Sequence, residues 1–127
     1  MIHIVIVDDE ADTHLLYKLK FKKIFSDLGE LNLVSFLNAP DCLNYLQSHS
    51  KPQVDLILSD INMPEMDGFT LLEKIHALDS KIPVYMVSAY ESQEFRKRAD
   101  ALGASGFLSK PVDFQVLSTM LKKDLSI

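Results

Sequence analysis

Val54-Asp55-Leu56-Ile57-Leu58-Ser59-Asp60-Ile61-Asn62-Met63-Pro64 decides how this chain is read. The run Val54–Ser59 has the strongly apolar pattern of a strand covered on both faces. Asp60 ends it, and Pro64 belongs to a turn that cannot extend a central strand. An acid so placed stands at the rim of a sheet, aimed outward. Alone, Asp60 reads more readily as a strand-ending turn residue than as a reactive group. Its meaning depends on what the rest of the chain brings to the same rim.

Outward from this stretch the chain alternates strand and helix. Upstream, Ile2–Val7 is a second apolar, β-branched run. A helix follows from Asp9 or Glu10 to about Leu28, with Tyr17, Phe21, Ile24, Phe25 and Leu28 at helical spacing and Gly29 as its stop signal. Leu31–Leu37 alternates poorly and reads as an edge strand. Ala39–His49 is helical and ends before Lys51-Pro52. Downstream, Gly68–Leu78 is a helix with Asp67 as N-cap, and Pro83–Ser88 a third buried strand. Ser92–Leu102 is helical and stops at Gly103. Ser105–Leu108 is a short last strand, and Asp113–Leu125 a closing helix that buries Leu117, Met120, Leu121 and Leu125. Five β-α units imply a mostly parallel sheet with helices on both faces.

At 127 residues the chain fits one domain, 1–127, either whole or excised from a longer protein. Apolar residues make up 47% and charged residues 24%, the balance of a globular protein. A formal net charge of −5 argues against direct contact with nucleic acid. The single cysteine, Cys42, excludes an internal disulfide and suits a reducing compartment. Ile2–Val7 is too short for a signal or membrane segment, so a cytoplasmic location is the expectation.

The polar groups at strand ends carry the chemistry. Asp8 and Asp9 follow the first strand, Asp60 the third, Ser88 ends the fourth, and Lys110 follows the fifth. Ligands of open α/β sheets bind beyond the carboxyl ends of strands, where strand order reverses. Three carboxylates about 4 Å apart repel by roughly 4 kcal/mol per pair at an effective dielectric near 20. Such a cluster calls for raised pKa values or a cation. All-oxygen ligands suit Mg²⁺, with Mn²⁺ an alternative, whereas His3, His14, His49 and His76 are too scattered for zinc. A metal held by Asp8 and Asp9 leaves Asp60 as a nucleophile, with the Lys110 ammonium and Ser88 hydroxyl suited to phosphoryl oxygens.

The ordered set Asp8-Asp9, Asp60-Ile61-Asn62-Met63-Pro64, Gly68, Ser88-Ala89 and Lys110-Pro111 resembles the CheY-like receiver domain of two-component response regulators, over essentially the whole chain. The resemblance implies a flavodoxin-like (βα)5 three-layer sandwich with strand order 2-1-3-4-5. It also implies a signalling phosphoacceptor rather than a turnover enzyme. Asp60 would be the phosphoacceptor, Asp9 a direct Mg²⁺ ligand and Asp8 a ligand largely through water. Asn62 would lend its backbone carbonyl. Ser88 would follow the phosphoryl group inward and Lys110 would pair with it. Phe107 falls at the family's aromatic switch position, where the ring turns inward and reshapes the surface of the fourth helix, fifth strand and fifth helix. Lacking a hydroxyl, Phe107 is expected to favour the buried rotamer. Asn62 and Tyr90 flank the expected path of attacking water. The implied partners are a histidine kinase or histidine phosphotransfer protein, and a downstream protein or an output domain following Ile127. A monomer, or a phosphorylation-dependent dimer through the last two helices, fits equally.

Each residue also has a plain structural reading. Asp8-Asp9 can cap a helix, Ser88 and Lys110 can be ordinary strand-end and surface residues, and Phe107 can be a static core ring. Arg96-Lys97-Arg98 reads as a solvated helix face, Cys42 and the methionines as packing, and the histidines as surface. The alternative function is a phosphorylation-independent interaction module on the same fold, which commonly lacks one of the acid, serine or lysine positions kept here. A flavodoxin-like cofactor site would want a Ser/Thr/Gly-rich loop where Asp8-Asp9-Glu10 stands. An aspartyl-nucleophile phosphatase would want an acid at Asn62.

Overall fold

A computed structural model describes residues 2–26, 30–48, 53–90 and 92–127. The elements alternate as β1 (Ile2–Val7), α1 (Ala11–Ile24), β2 (Leu31–Phe36), α2 (Ala39–Leu46), β3 (Leu56–Asp60), α3 (Gly68–Leu78), β4 (Val84–Ser88), α4 (Gln93–Ala101), β5 (Gly106–Ser109) and α5 (Phe114–Asp124). All pairings are parallel, in the order β2-β1-β3-β4-β5. This is the flavodoxin-like sandwich the motifs imply, and the order reverses between β1 and β3.

The continuous apolar strands follow from two cores, one on each face. Side chains alternate across a strand, so Val5, Val7, Ile57, Val84 and Met86 pack with α2, α3 and α4. Ile4, Ile6, Leu56, Leu58, Tyr85 and Val87 face the opposite way, toward α1 and α5. Neither face reaches solvent, so neither tolerates polar alternation.

Several boundaries differ from the sequence reading. β3 begins at Leu56 rather than Val54, because the Asp55 carboxylate itself accepts from the His3 amide at 2.8 Å and takes an acceptor's place in the ladder. At its other end β3 includes Asp60, which pairs with Val87. β5 is shifted one residue along, to Gly106–Ser109, and the Lys110 amide continues its pairing with a 2.8 Å bond to the Ser88 carbonyl. α1 ends at Ile24, where Phe25 bonds back to Phe21 as the C-cap. Leu28 and Gly29, expected to finish that helix, lie outside the described residues. α2 ends at Leu46; His49, Lys51 and Pro52, expected at its end, also lie outside them. Asp67 caps α3 as expected, accepting from the Thr70 amide at 2.9 Å. Met120 is only half-buried, whereas Leu117 and Leu121 are fully enclosed.

None of the helices formed by described residues is long and apolar enough to cross a membrane. Cys42 is fully buried, which pushes its thiol up to about 12 and removes it as a reactive group.

Candidate acidic site at the carboxyl rim

Strand order alone brings the acids together. β1 and β3 are neighbours, so the residues that end them share one edge of the sheet. Among the described residues, Asp8, Asp9 and Asp60 each place a carboxylate oxygen within 4.8 Å of the other two. Asp8 and Asp60 are buried and Asp9 is exposed.

Lys110 binds this cluster together. Its ammonium lies 3.1 Å from Asp8 Oδ2, 3.4 Å from Asp60 Oδ2 and 3.9 Å from Glu10 Oε1. One cation among several acids leaves an excess of negative charge at the rim. Burial pushes the Asp60 carboxyl up to about 6; Lys110 pulls it down, and Asp8 and Asp9 push it up again. Burial would lower the Lys110 ammonium, but the Asp8 hydrogen bond and the charges of Asp60 and Asp8 outweigh it, so its pKa rises. The lysine stays charged and the aspartate is held under electrostatic load.

Asp8 does not cap α1 in the ordinary sense. Its Oδ1 accepts from the Glu10 amide at 2.9 Å, forming a tight Asx turn, while Glu10 occupies the N-cap position without a side-chain cap bond. The acid is thus held in the loop before the helix, turned toward Lys110.

The loop after β3 is shaped by Gly68. Its amide donates to the Ile61 carbonyl at 2.8 Å. A Cβ built there would stand 2.8 Å from Ile61 Cα and closer still to the Asp60 carbonyl oxygen. Only glycine lets the start of α3 seat against the end of β3. Ile61 and Met63 are buried beneath the turn while Asn62 is exposed at the rim.

Ser88 is fully buried at the end of β4, and its Oγ accepts from the Tyr90 amide at 3.0 Å. Tyr90 projects into solvent with its ring edge-on to Phe95, 6.4 Å between centroids. Phe107 is half-buried, packed on the α2–α3–α4 core, with the Arg96 guanidinium 4.6 Å from its ring centre.

Three features escaped the sequence reading. Arg96 and Arg98 are exposed, as a solvated helix face requires, but their guanidinium groups also lie over Phe107 and Phe69, at 4.6 Å and 4.3 Å, which no local pattern announced. The histidines were expected at the surface, yet His3, His14 and His76 are half-buried and hydrogen-bonded, while His49 lies outside the described residues. Glu10 joins the Lys110 cluster. The signal for His14 was available: it shares a 3–4 spacing with Tyr17 and Phe21, the buried face of α1.

A parallel sheet whose order reverses beside clustered acids, with a hydroxyl and a lysine delivered by its other strands, is the architecture of CheY-like receiver domains. The chain belongs to the response regulator receiver domain family, whose model matches residues 4–122. It is 34% identical over 94% of its length to hybrid signal transduction histidine kinase D of Dictyostelium discoideum, of which it covers 8%. Chemotaxis protein CheY of Treponema pallidum is 47% identical over 49% of this chain and 43% of its own. Among solved structures, Vibrio cholerae CheY4 superposes with a TM-score of 0.79 at 26% identity, over 97% of this chain and 98% of that one. CheY in a Borrelia burgdorferi complex with CheX, BeF3 and Mg superposes at 0.83 and 26% identity, over 98% and 89%. The chain therefore corresponds to a small part of the long kinases it matches and to nearly all of the solved receiver domains.

Proposed function

We propose that this domain receives a phosphoryl group on Asp60 from a phosphohistidine in a kinase or phosphotransfer protein, and signals by changing its affinity for a partner. The observation that carries this reading is the position of Lys110, between two buried carboxylates and beside an exposed third. A structural ion pair has no use for such an excess of acid, which is costly unless a further cation completes it.

The donor set fits Mg²⁺: carboxylate oxygens only, two buried and one open to water. Asp9 and Asp60 would hold the ion directly and Asp8 largely through water, with the Asn62 carbonyl as a further oxygen and Mn²⁺ as a substitute. Bound there, the ion supplies charge neutralisation for the entering phosphoryl group. A neighbour solved with BeF3 and Mg supports the same assignment.

In the transfer, an Asp60 carboxylate oxygen forms the new bond to phosphorus while the phosphorus–nitrogen bond of the donor breaks. The electron pair leaves with the imidazole, which takes up a proton. Lys110 stays protonated throughout and moves its ammonium from carboxylate to phosphoryl oxygen. Ser88 turns its hydroxyl proton toward the phosphoryl group, and Phe107 follows inward from its place beneath Arg96. Asn62 and Tyr90 border the route by which water removes the group.

The donor has a place to dock. A groove of about 380 Å³ lined by Glu10, Thr13, Leu16, Tyr17, Lys110 and Phe114 opens beside the acids. Leu16 lines the groove, and Leu15 and Leu19 of α1 and Val116 of α5 are also exposed on the two helices that frame it, apolar surface of the kind that marks a protein contact.

Mass spectrometry after incubation with acetyl phosphate and Mg²⁺ tests the reading. The wild type gains one phosphoryl group and Asp60→Asn gains none. A wild type without label, or a mutant that keeps it, overturns it.

A further inference from the structure

We propose that His14 is a positioning residue for the acidic rim, fixing the peptide that joins Asp8 to Asp9 and so aiming the Asp9 carboxylate at the cation. The inference rests on the metal-binding part of the proposed function and adds a residue to it.

His14 lies on the inner face of α1, and its Nε2 is 2.7 Å from the Asp8 carbonyl oxygen. A carbonyl oxygen only accepts, so Nε2 carries the proton and donates. That bond completes a set. The Asp8 amide donates to the Phe36 carbonyl at 3.0 Å. Asp8 Oδ1 accepts from the Glu10 amide at 2.9 Å, and Oδ2 from Lys110 at 3.1 Å. Every polar atom of Asp8 is engaged.

Asp9 is held quite differently. It is exposed, and its carboxylate makes no hydrogen bond among the described residues. No such side-chain bond holds it, so the position from which it can reach the cation is set by its backbone, through the plane of the Asp8–Asp9 peptide. The oxygen of that peptide is the atom that His14 grips. Without the imidazole donor the plane can rotate, carrying Asp9 away from the 4.8 Å grouping with Asp8 and Asp60.

The other ring nitrogen supports a dedicated role for Nε2. His14 Nδ1 is buried without a hydrogen-bond partner among the described residues. Such an arrangement has a cost, and a residue chosen only to fill this space would carry no nitrogen there. The bond from Nε2 is what histidine brings to the position. Groups that orient metal ligands without touching the ion commonly set affinity within one to two orders of magnitude.

The test measures Mg²⁺ affinity by calorimetry at pH 7.5 for wild type, His14→Phe and His14→Gln. The phenyl ring keeps the bulk and removes the donor. The glutamine amide nitrogen stands the same number of bonds from the backbone as Nε2. Phe is expected to weaken Mg²⁺ about tenfold, with Gln restoring most of the loss. The Asp9 amide resonance should also shift in ion-free His14→Phe and return toward its wild-type position in His14→Gln. Equal affinity in wild type and His14→Phe overturns the inference alone. Equal losses in Phe and Gln, without recovery of the Asp9 resonance, also overturn it by reducing His14 to packing. A wild type that binds no Mg²⁺ removes the functional reading, and this inference with it.

Discussion

Asp60 Oδ2 and Lys110 Nζ face each other at 3.4 Å although their strands, β3 and β5, are not neighbours. The lysine reaches back across the end of β4, and Asp8 holds it from the far side. Replacing Lys110 with alanine therefore does two things. It leaves three carboxylates without their cation, costing about 2–3 kcal/mol of stability at pH 7.5 by the logic of a broken, partly buried pair. It also slows phosphoryl transfer by about a hundredfold or more, the usual loss for one charge-stabilising donor. Urea unfolding and labelling with acetyl phosphate measure the two separately.

The raised Asp60 carboxyl makes stability depend on pH in a definite direction. In the unfolded chain Asp60 titrates near 3.8, and in the fold at about 6. Between those values the folded state binds the extra proton, so this group's contribution is full below pH 3.8 and is lost as pH rises through 6. Asp60→Asn removes the penalty. Its gain over wild type should approach about 3 kcal/mol above pH 7 and fall to well under 1 kcal/mol near pH 4. Denaturant curves at the two pH values check this; an advantage at pH 4 as large as at pH 7 contradicts it.

Mg²⁺ should stabilise the folded chain by mass action, about 2.7 kcal/mol when present at a hundred times its dissociation constant. Thermal melts of the wild type should rise with MgCl2 at pH 7.5. Melts of Asp9→Ala should not.

Gly68→Ala is expected to cost about 1–3 kcal/mol, the range for forcing atoms into a packed site. The added methyl would collide with the backbone of Asp60 and Ile61, which cannot swing aside as the Met86 methyl group beside them can. Because the strain falls on the end of β3, the labelling rate of Asp60 should drop as well. A variant as stable and as rapidly labelled as wild type would disprove the contact.

Phe107 lies under the Arg96 guanidinium and has no hydroxyl to bond in an outward position. Its ring should spend less time outward than the ring of a Phe107→Tyr variant, as read from ring-to-backbone NOEs. An equal or greater outward population in the wild type ends the argument.

The parts of this fold that a sequence reader can see are those where one physical demand dominates. Ile2–Val7 and Pro83–Ser88 stand out because both faces of those strands are covered, and α3 because its cap and apolar stripe agree. β2 is weak because it is an edge strand, half-buried along most of its length. The start of β3 misleads because Val54 continues an apolar run, while the Asp55 side chain has already taken over a ladder bond. The acidic rim was legible as a set of residue types in order. The roles of His14, Glu10, Arg96 and Arg98 were not, since each depends on a contact between segments that no local pattern encodes.

The seating of Gly68 has a mechanical consequence. On one side of Asp60, α3 is bonded to the end of β3 and anchored by buried Phe69, Leu71, Leu72 and Ile75. On the other, α4 buries only Ala99 among its described residues and leans on the sheet through half-buried Phe95 and the arginine–ring contacts. One wall of the rim is anchored by many buried side chains and the other by few. Under the proposed function, a phosphoryl group on Asp60 would meet a closely seated α3 on one side and a lightly anchored α4 on the other, and α4 is the wall expected to shift. On that proposal, the direction in which the domain would speak is set by the helix with the fewest buried anchors.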